Sequence, residues 1–181
     1  LKGQAISHDS MGVLGGNQGD LPRAVTEFER SLYASRRASD SKTETTTLNN
    51  MGDVYRRAGR YPESLKYYAL AEKLADINTD RPNHYRAIDG MVVALNQQQM
   101  YQQSAVMLTR RLNIAQEQEN LAQQLRSLSD LAQVQRQMGN IPQARQFYQQ
   151  AIDVAQILQD PNQESLLIER MVSLTDDDNQ R

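Results

Sequence analysis

The sequence predicts an all-α fold, a stack of four helix–turn–helix pairs closed by one further helix. Three observations predict it. Apolar residues recur at helical spacing along the chain, one 40-residue register holds from end to end without insertion or deletion, and turn residues fall at fixed places in that register. A unit that cannot bury its apolar face alone buries it on the next unit, so a strict period of this length means stacking.

The stretch from Leu48 to Ala75 shows the unit most clearly. Leu48, Met51, Gly52 and Tyr55 form one stripe of a first helix, Ala58-Gly59-Arg60 makes the turn, and Ser64 and Tyr68 lie on the facing helix. Gly52 is small enough to let the partner helix approach closely, while Tyr68 is the large residue that fills the space. Moving by 40 residues lands on matching positions. Gly59 becomes Gly19, Gln99 and Gly139; Ser64 becomes Ala24, Ser104 and Ala144; Tyr68 becomes Phe28, Leu108 and Tyr148; Asp80 becomes Asp40, Asn120 and Asp160.

Taken in order, the first pair spans about residues 4–38. Its first helix is weakened by Gly12, Gly15 and Gly16, each costing roughly 1 kcal/mol against alanine, and that end is expected to fray unless something covers it. Asp20 is the N-cap of the second helix, with Pro22 harmless in its first turn. The polar, threonine-rich run Asp40–Thr47 reads as a connector into the second pair, about 44–77. Asp80-Arg81-Pro82-Asn83 reads as a break, because proline disfavours helix for the residue before it. The third pair, about 84–119, lacks the turn glycine at Gln99; the fourth, about 121–159, turns at Gly139-Asn140-Ile141-Pro142. A closing helix over about 163–175 carries Leu167, Ile168, Met171 and Val172 as its stripe, and Asp176-Asp177-Asp178 is expected to end it as a solvated acidic tail. Together these make one repeat domain over 1–181.

The spacing of Leu48, Met51, Gly52, Tyr55, Ser64 and Tyr68 resembles the tetratricopeptide repeat (TPR), with Leu48 at the usual tryptophan position and Ser64 at the usual alanine position. The period of 40 exceeds the common form of about 34. It resembles the long-repeat subclass of spindle-orientation adaptors, G-protein-signalling modulators and many bacterial regulators, and Asn50-Met51-Gly52-Asp53 is close to that subclass's Asn-Leu-Gly-Asn run. The resemblance implies a right-handed α-solenoid of four TPR pairs plus a C-terminal capping helix. It also implies a protein–protein interaction scaffold or adaptor without catalysis of its own.

Composition narrows the alternatives. A net charge of -2 gives no general attraction to nucleic acid or anionic membranes. Cysteine is absent, which removes disulfides and Cys-ligated zinc. No apolar run reaches the 18 or so residues of a membrane span and no signal-peptide pattern opens the chain, so a cytoplasmic protein without membrane insertion is expected. The start at Leu1 suggests a fragment or processed product. His8-Asp9-Ser10 holds triad residue types, but helical neighbours diverge by about 100°. His8 takes the Leu48 position and reads as a half-buried packing residue; His84, beside Pro82, reads as solvated. No metal, cofactor or catalytic set emerges.

In stacked repeats of this kind the first helix of each pair lines the inner face. The inward stripe then holds Asn49, Asn50, Asp53, Arg56 and Arg57 in the second pair, Arg86, Asp89 and Asn96 in the third, and Arg126, Asp130, Gln133 and Arg136 in the fourth. Five arginines against three aspartates leave this peptide-binding groove at +2 within an acidic chain. An extended acidic segment of another protein is the expected occupant, its carboxylates gripped by guanidinium groups and its backbone by asparagines. The alternative for these charges is intrahelical pairing of Asp53 with Arg57, Asp89 with Arg86 and Asp130 with Arg126, worth a few tenths of a kcal/mol each. At the level of the whole protein, two rivals stand beside the adaptor: a docking arm of a larger enzyme, or a self-assembling segment whose open ends stack. The oligomeric state is open.

Overall fold

The computed structural model describes residues 1–178, and over these the chain is helical from end to end, broken only by short turns. In order the helices are α1 (Lys2–Asn17), α2 (Leu21–Arg37), α3 (Ser41–Arg57), α4 (Tyr61–Ile77), α5 (Arg81–Gln97), α6 (Tyr101–Glu117), α7 (Leu121–Gln137), α8 (Ile141–Ile157) and α9 (Pro161–Asp178). Among the described residues there is no strand. Four helix–turn–helix pairs and a closing helix are therefore present, in two compact units, Leu1–Gln98 and Gln99–Arg181.

Seven of the helices, α2 to α8, have 17 residues, and every turn has three. Each turn places its second residue in the left-handed region. Gly19, Gly59 and Gly139 do so, but so do Ser39, Thr79, Gln99, Glu119 and Gln159, at φ between 51 and 59°. The missing glycine at Gln99 thus does not change the turn; the side chain accepts a conformation costing roughly 1–2 kcal/mol. In return the backbone N–H of the last turn residue bonds back into the helix at seven of the eight turns, as Asp40 N to Ser35 O at 2.9 Å and Asp80 N to Ala75 O at 2.8 Å.

The column Asp40, Asp80, Asn120 and Asp160 now has a physical meaning. Asp40, Asp80 and Asn120 accept the backbone N–H three residues on, from Thr43, Asn83 and Gln123, at 3.1–3.3 Å, and Asp160 accepts that of Gln163 at 3.1 Å. Each is the N-cap of a first helix. Asp20 caps α2 in the same way, through Arg23 N at 3.1 Å.

Several sequence-based boundaries are corrected. Asp40–Thr47 is not a connector: α3 starts at Ser41, and Thr45 and Thr47 are fully buried in its first two turns. Thr45 returns its hydroxyl to Ser41 O at 2.7 Å, and Thr47 shares its own with Ser31 at 2.9 Å, so burial and bonding outweigh the low helix propensity of threonine. Pro82 does not break the chain either. It sits in the first turn of α5, like Pro22 in α2 and Pro62 in α4, where the residue four back lies outside the helix and its carbonyl does not meet the ring. In α9 Leu167 and Leu174 are buried and Met171 is half-buried, while Ile168 and Val172 are exposed, and the helix continues to Asp178. The side chains of Asp176-Asp177-Asp178 lie outside the described residues.

In the first unit the core runs through Phe28, Leu32, Leu48, Met51, Val54 and Tyr55, with Tyr68 buried between two helices. A methyl on Gly52 would stand 2.6 Å from the Tyr68 ring, and one on Gly90 only 2.3 Å from it. The ring is therefore clasped between glycines of α3 and α5. Gly12 makes the same room for Phe28, and Gly16 lies against Val54; the residues expected to weaken α1 are contact points of its packing. In the second unit Leu108, Leu128, Leu131, Tyr148, Ile152 and Leu167 form the buried interior.

Candidate functional site

The site in the first unit is built on the Tyr68 clasp. With its ring held between α3 and α5, the Tyr68 hydroxyl reaches the edge of the core and donates to Asp53 Oδ1 at 2.5 Å. The other Asp53 oxygen accepts from Arg86 at 2.8 Å, and the same Arg86 nitrogen donates to Asn50 Oδ1 at 2.6 Å. Asn50 in turn donates to both Asp9 oxygens at 2.9 Å. One chain of hydrogen bonds thereby crosses α1, α3, α5 and α4. Arg56 approaches Asp53 at 3.9 Å, and Arg57 donates to Asn17 at 2.7 Å. These side chains surround an open depression of about 340 Å³, with Val13 and Val54 in its wall.

Of the inward residues predicted in this unit, Asn50, Asp53, Arg56, Arg57 and Arg86 are brought together around that depression. Asn49 is not. Its side chain is fully buried and donates to the backbone oxygen of Asn83 at 3.2 Å, because its place on the helix turns it toward α5 rather than the open face. Asn96 is half-buried on α5, and its side-chain oxygen has no hydrogen-bond partner among the described residues. Asp89 is half-buried on the same helix. Asp53 pairs between helices with Arg86 and more distantly within its helix with Arg56, not with Arg57.

In the second unit Asp130 takes Arg111 of α6 at 3.0 Å. Arg111 is fully buried, its other terminal nitrogen donating to Gln123 at 3.0 Å. Sequence reasoning missed this residue, although the register carried a signal: positions 31, 71 and 151 are Ser, Ala and Ala, so arginine at 111 breaks a small-residue column. On α7, Arg126 and Gln133 are exposed and Arg136 is half-buried. Ser129 accepts from Arg170 of α9 at 3.4 Å.

Two histidines complete the survey. His8 is half-buried and bonds Glu27 at 2.7 Å, an interaction that holds the Glu27 carboxyl below its ordinary pKa. His84 was expected to be solvated but is 2% exposed, packed between α4 and α5 with Glu72 at 3.6 Å and Asp76 at 3.8 Å. Its helix starts at Arg81, so His84 occupies the first full turn and faces inward. No cluster of three or more metal-ligating side chains occurs among the described residues, and no described helix is long and apolar enough to cross a membrane.

Burial raises the pKa of Tyr68 far above the ordinary phenol value, and the Asp53 carboxylate that accepts its hydrogen bond raises it further. Burial also raises Tyr67, helped by the stacked Tyr55 ring, and Tyr148, where Arg170 and Arg136 oppose the shift. Because the folded state holds these protons more tightly than the unfolded chain, their contribution to stability is complete below the phenol pKa of about 10. It is lost as pH rises through and beyond that value. Denaturant midpoints should therefore drop between about pH 9.5 and 11.5, and less steeply in Tyr68→Phe; equal slopes in parent and variant would exclude Tyr68 as a source.

Capped helix pairs in a constant register, with polar and charged side chains on the first helices, define a helical-repeat scaffold. The Tetratricopeptide repeat family model matches residues 5–77 and 84–157, and the chain belongs to that family. Such repeats serve in general as non-catalytic platforms that bind other proteins. No curated protein matches the sequence. Among solved structures the chain resembles the apo form of RapI, with a TM-score of 0.83 at 11% identity over 98% of this chain, which spans about half (49%) of RapI. It also resembles a Podosopora anserina kinesin light chain protein of nearly identical TPR-like repeats (TM-score 0.74, 13% identity, 100% of this chain and 90% of that one). BtubC (BKLC) from P. vanneervenii is a third (0.66, 14%, 94% and 79%). At these identities the likeness is one of fold.

Proposed function

We propose that the protein is an interaction scaffold whose first-helix face binds an extended acidic segment of another protein. The observation that supports this most directly is the grouping of Arg56, Arg57 and Arg86 around one depression beside Asn17 and Asn50. Arg86 is held by Asn50 and Asp53 at a fixed place, and Arg57 is exposed with a single bond to Asn17. A carboxylate entering here meets three guanidinium groups against one aspartate in a partly shielded wall, where charge-assisted bonds are stronger than on an open surface. Asp89 and Asn96 on α5, and Arg126, Asp130, Gln133 and Arg136 on α7, are proposed as binding positions each within its own unit.

Fluorescence anisotropy with three labelled extended peptides of equal length, rich in Glu, Ser or Lys, tests the reading. The acidic peptide should bind best and weaken with salt. Charge reversal at Arg86 and Arg126 together should weaken it by tenfold or more, about 1.4 kcal/mol. Since Arg86 also anchors Asn50 and Asp53, Arg57→Glu serves as a second variant that disturbs only one exposed bond. Equal binding of the three peptides, or a double reversal as tight as the parent, would overturn the proposal.

A further inference from the structure

The depression of the first unit holds more guanidinium donors than one carboxylate uses. Arg56 and Arg57 stand on α3 and Arg86 on α5, so the cluster lies inside the chain and at neither of its ends. Arg86 spends one terminal nitrogen on Asn50 Oδ1 and Asp53 Oδ2, and its other nitrogens make no bond among the described residues. Arg57 donates only to Asn17. Arg56 meets Asp53 at 3.9 Å, with its own Nε buried and unbonded. The opposing charge is already engaged. Asp53 has Oδ1 on the Tyr68 hydroxyl and Oδ2 on Arg86, and Asp9, behind Asn50, has both oxygens on the Asn50 amide. Three guanidinium charges against Asp53 leave the lining at +2, or at +1 with Asp9 counted.

We infer that this depression takes the phosphoryl group of a phosphorylated serine or threonine in the bound segment; the inference rests on the acidic-segment reading above and narrows it. A carboxylate offers two oxygens in one plane and a single charge, which one guanidinium fork satisfies. A phosphoryl group offers three oxygens in a tetrahedral array and a charge of about -1.5 to -2. It accepts from several directions at once, and here the guanidinium groups come from two helices around one space of about 340 Å³. Val13 and Val54 supply an apolar wall for the carbons of the side chain that carries it. Arg86 is fixed by Asn50 and Asp53 before any ligand arrives, so part of the ordering cost is already met. A phospholipid headgroup presents the same chemistry, but a chain of net charge -2 has no general attraction to an anionic membrane. A protein segment is the occupant that fits.

Fluorescence anisotropy with the 181-residue chain compares the Glu-rich peptide with the same peptide carrying phosphoserine in place of its central glutamate. The phosphopeptide should bind tenfold or more tightly at about pH 7.5. The advantage should shrink toward about pH 5, below the second phosphate pKa of about 6, where the group keeps one charge. No histidine lines the depression, so this pH dependence belongs to the ligand. Arg57→Gln disturbs one exposed bond and should remove most of the advantage, whereas Arg145→Gln, the same loss of charge at an exposed position of α8, should leave it intact. Inorganic phosphate should displace the phosphopeptide only at millimolar concentration; displacement at micromolar concentration would make the free anion the ligand and overturn the inference. Vesicles containing phosphatidic acid should not be bound, and binding to them with no gain for the phosphopeptide would assign the site to a membrane instead. A Glu-rich peptide that outbinds the Ser-rich one yet gains nothing from phosphoserine sinks the inference and leaves the acidic-segment reading standing. When neither outbinds the Ser-rich peptide, both fall.

Discussion

Replacing Tyr68 with alanine should cost the first unit about 3–5 kcal/mol, the range for removing a buried aromatic ring. The ring is fully buried, fills the room left by Gly52 and Gly90, and its hydroxyl sets the Asp53 carboxylate that holds Arg86. Packing and polar network therefore fail together. Gln149→Ala, on the exposed face of α8 with one bond to Asp153, should change stability by less than about 0.5 kcal/mol. The clasp also predicts coupling: Gly90→Ala should be destabilising in the parent yet close to neutral once Tyr68 is alanine, because the added methyl then meets space rather than the ring. Denaturant midpoints that rank Gln149→Ala below Tyr68→Ala, or additive Gly90 and Tyr68 effects, would contradict the packing described.

Removing the Asp130 carboxylate should be the second large effect, on the order of 3 kcal/mol for Asp130→Ala in the second unit. Arg111 is fully buried, and its guanidinium would lose its bond to the carboxylate while remaining charged. Arg111→Met is the contrasting change. It keeps the length of the stem, removes the buried charge, and should cost within about 1.5 kcal/mol, since a buried ion pair often exchanges for apolar volume at little loss. Urea unfolding of both variants decides it: if Arg111→Met is the more destabilising, the arginine is needed for more than satisfying itself.

What could be read from residues alone was whatever repeats. The 40-residue register located the four turns near Gly19, Gly59, Gln99 and Gly139, Asp20 and Pro22 announced the start of α2, and Tyr68 was recognisable as core from its column. The misreadings share a cause, tertiary contact overriding local tendency. Threonines that favour extended chain became helix because Thr45 and Thr47 are buried, and His84 looked solvated because its neighbour Pro82 was taken for a break. The inward stripe was legible as a set of columns, but not the partners of its members. Asp53 to Arg86 and Asn50 to Asp9 join residues 33 and 41 positions apart, and Asn49 lies one residue too far round the helix. Arg111 was visible only as an exception to its column, and exceptions carry no partner in their own sequence.

All eight turns place their second residue in the left-handed region, whether they link helices within a pair or between pairs. Swapping or excising forty residues at any two equivalent turns therefore joins a left-handed residue to an N-cap just as before, without a new loop having to be invented. Duplication and recombination can lengthen or shorten such a chain in whole steps, and each step carries its own junction. A cut of twenty residues also closes cleanly at the backbone, but it puts a first helix's side chains in a second helix's place. The turns thus permit many chain lengths, and the side-chain columns admit only every second one.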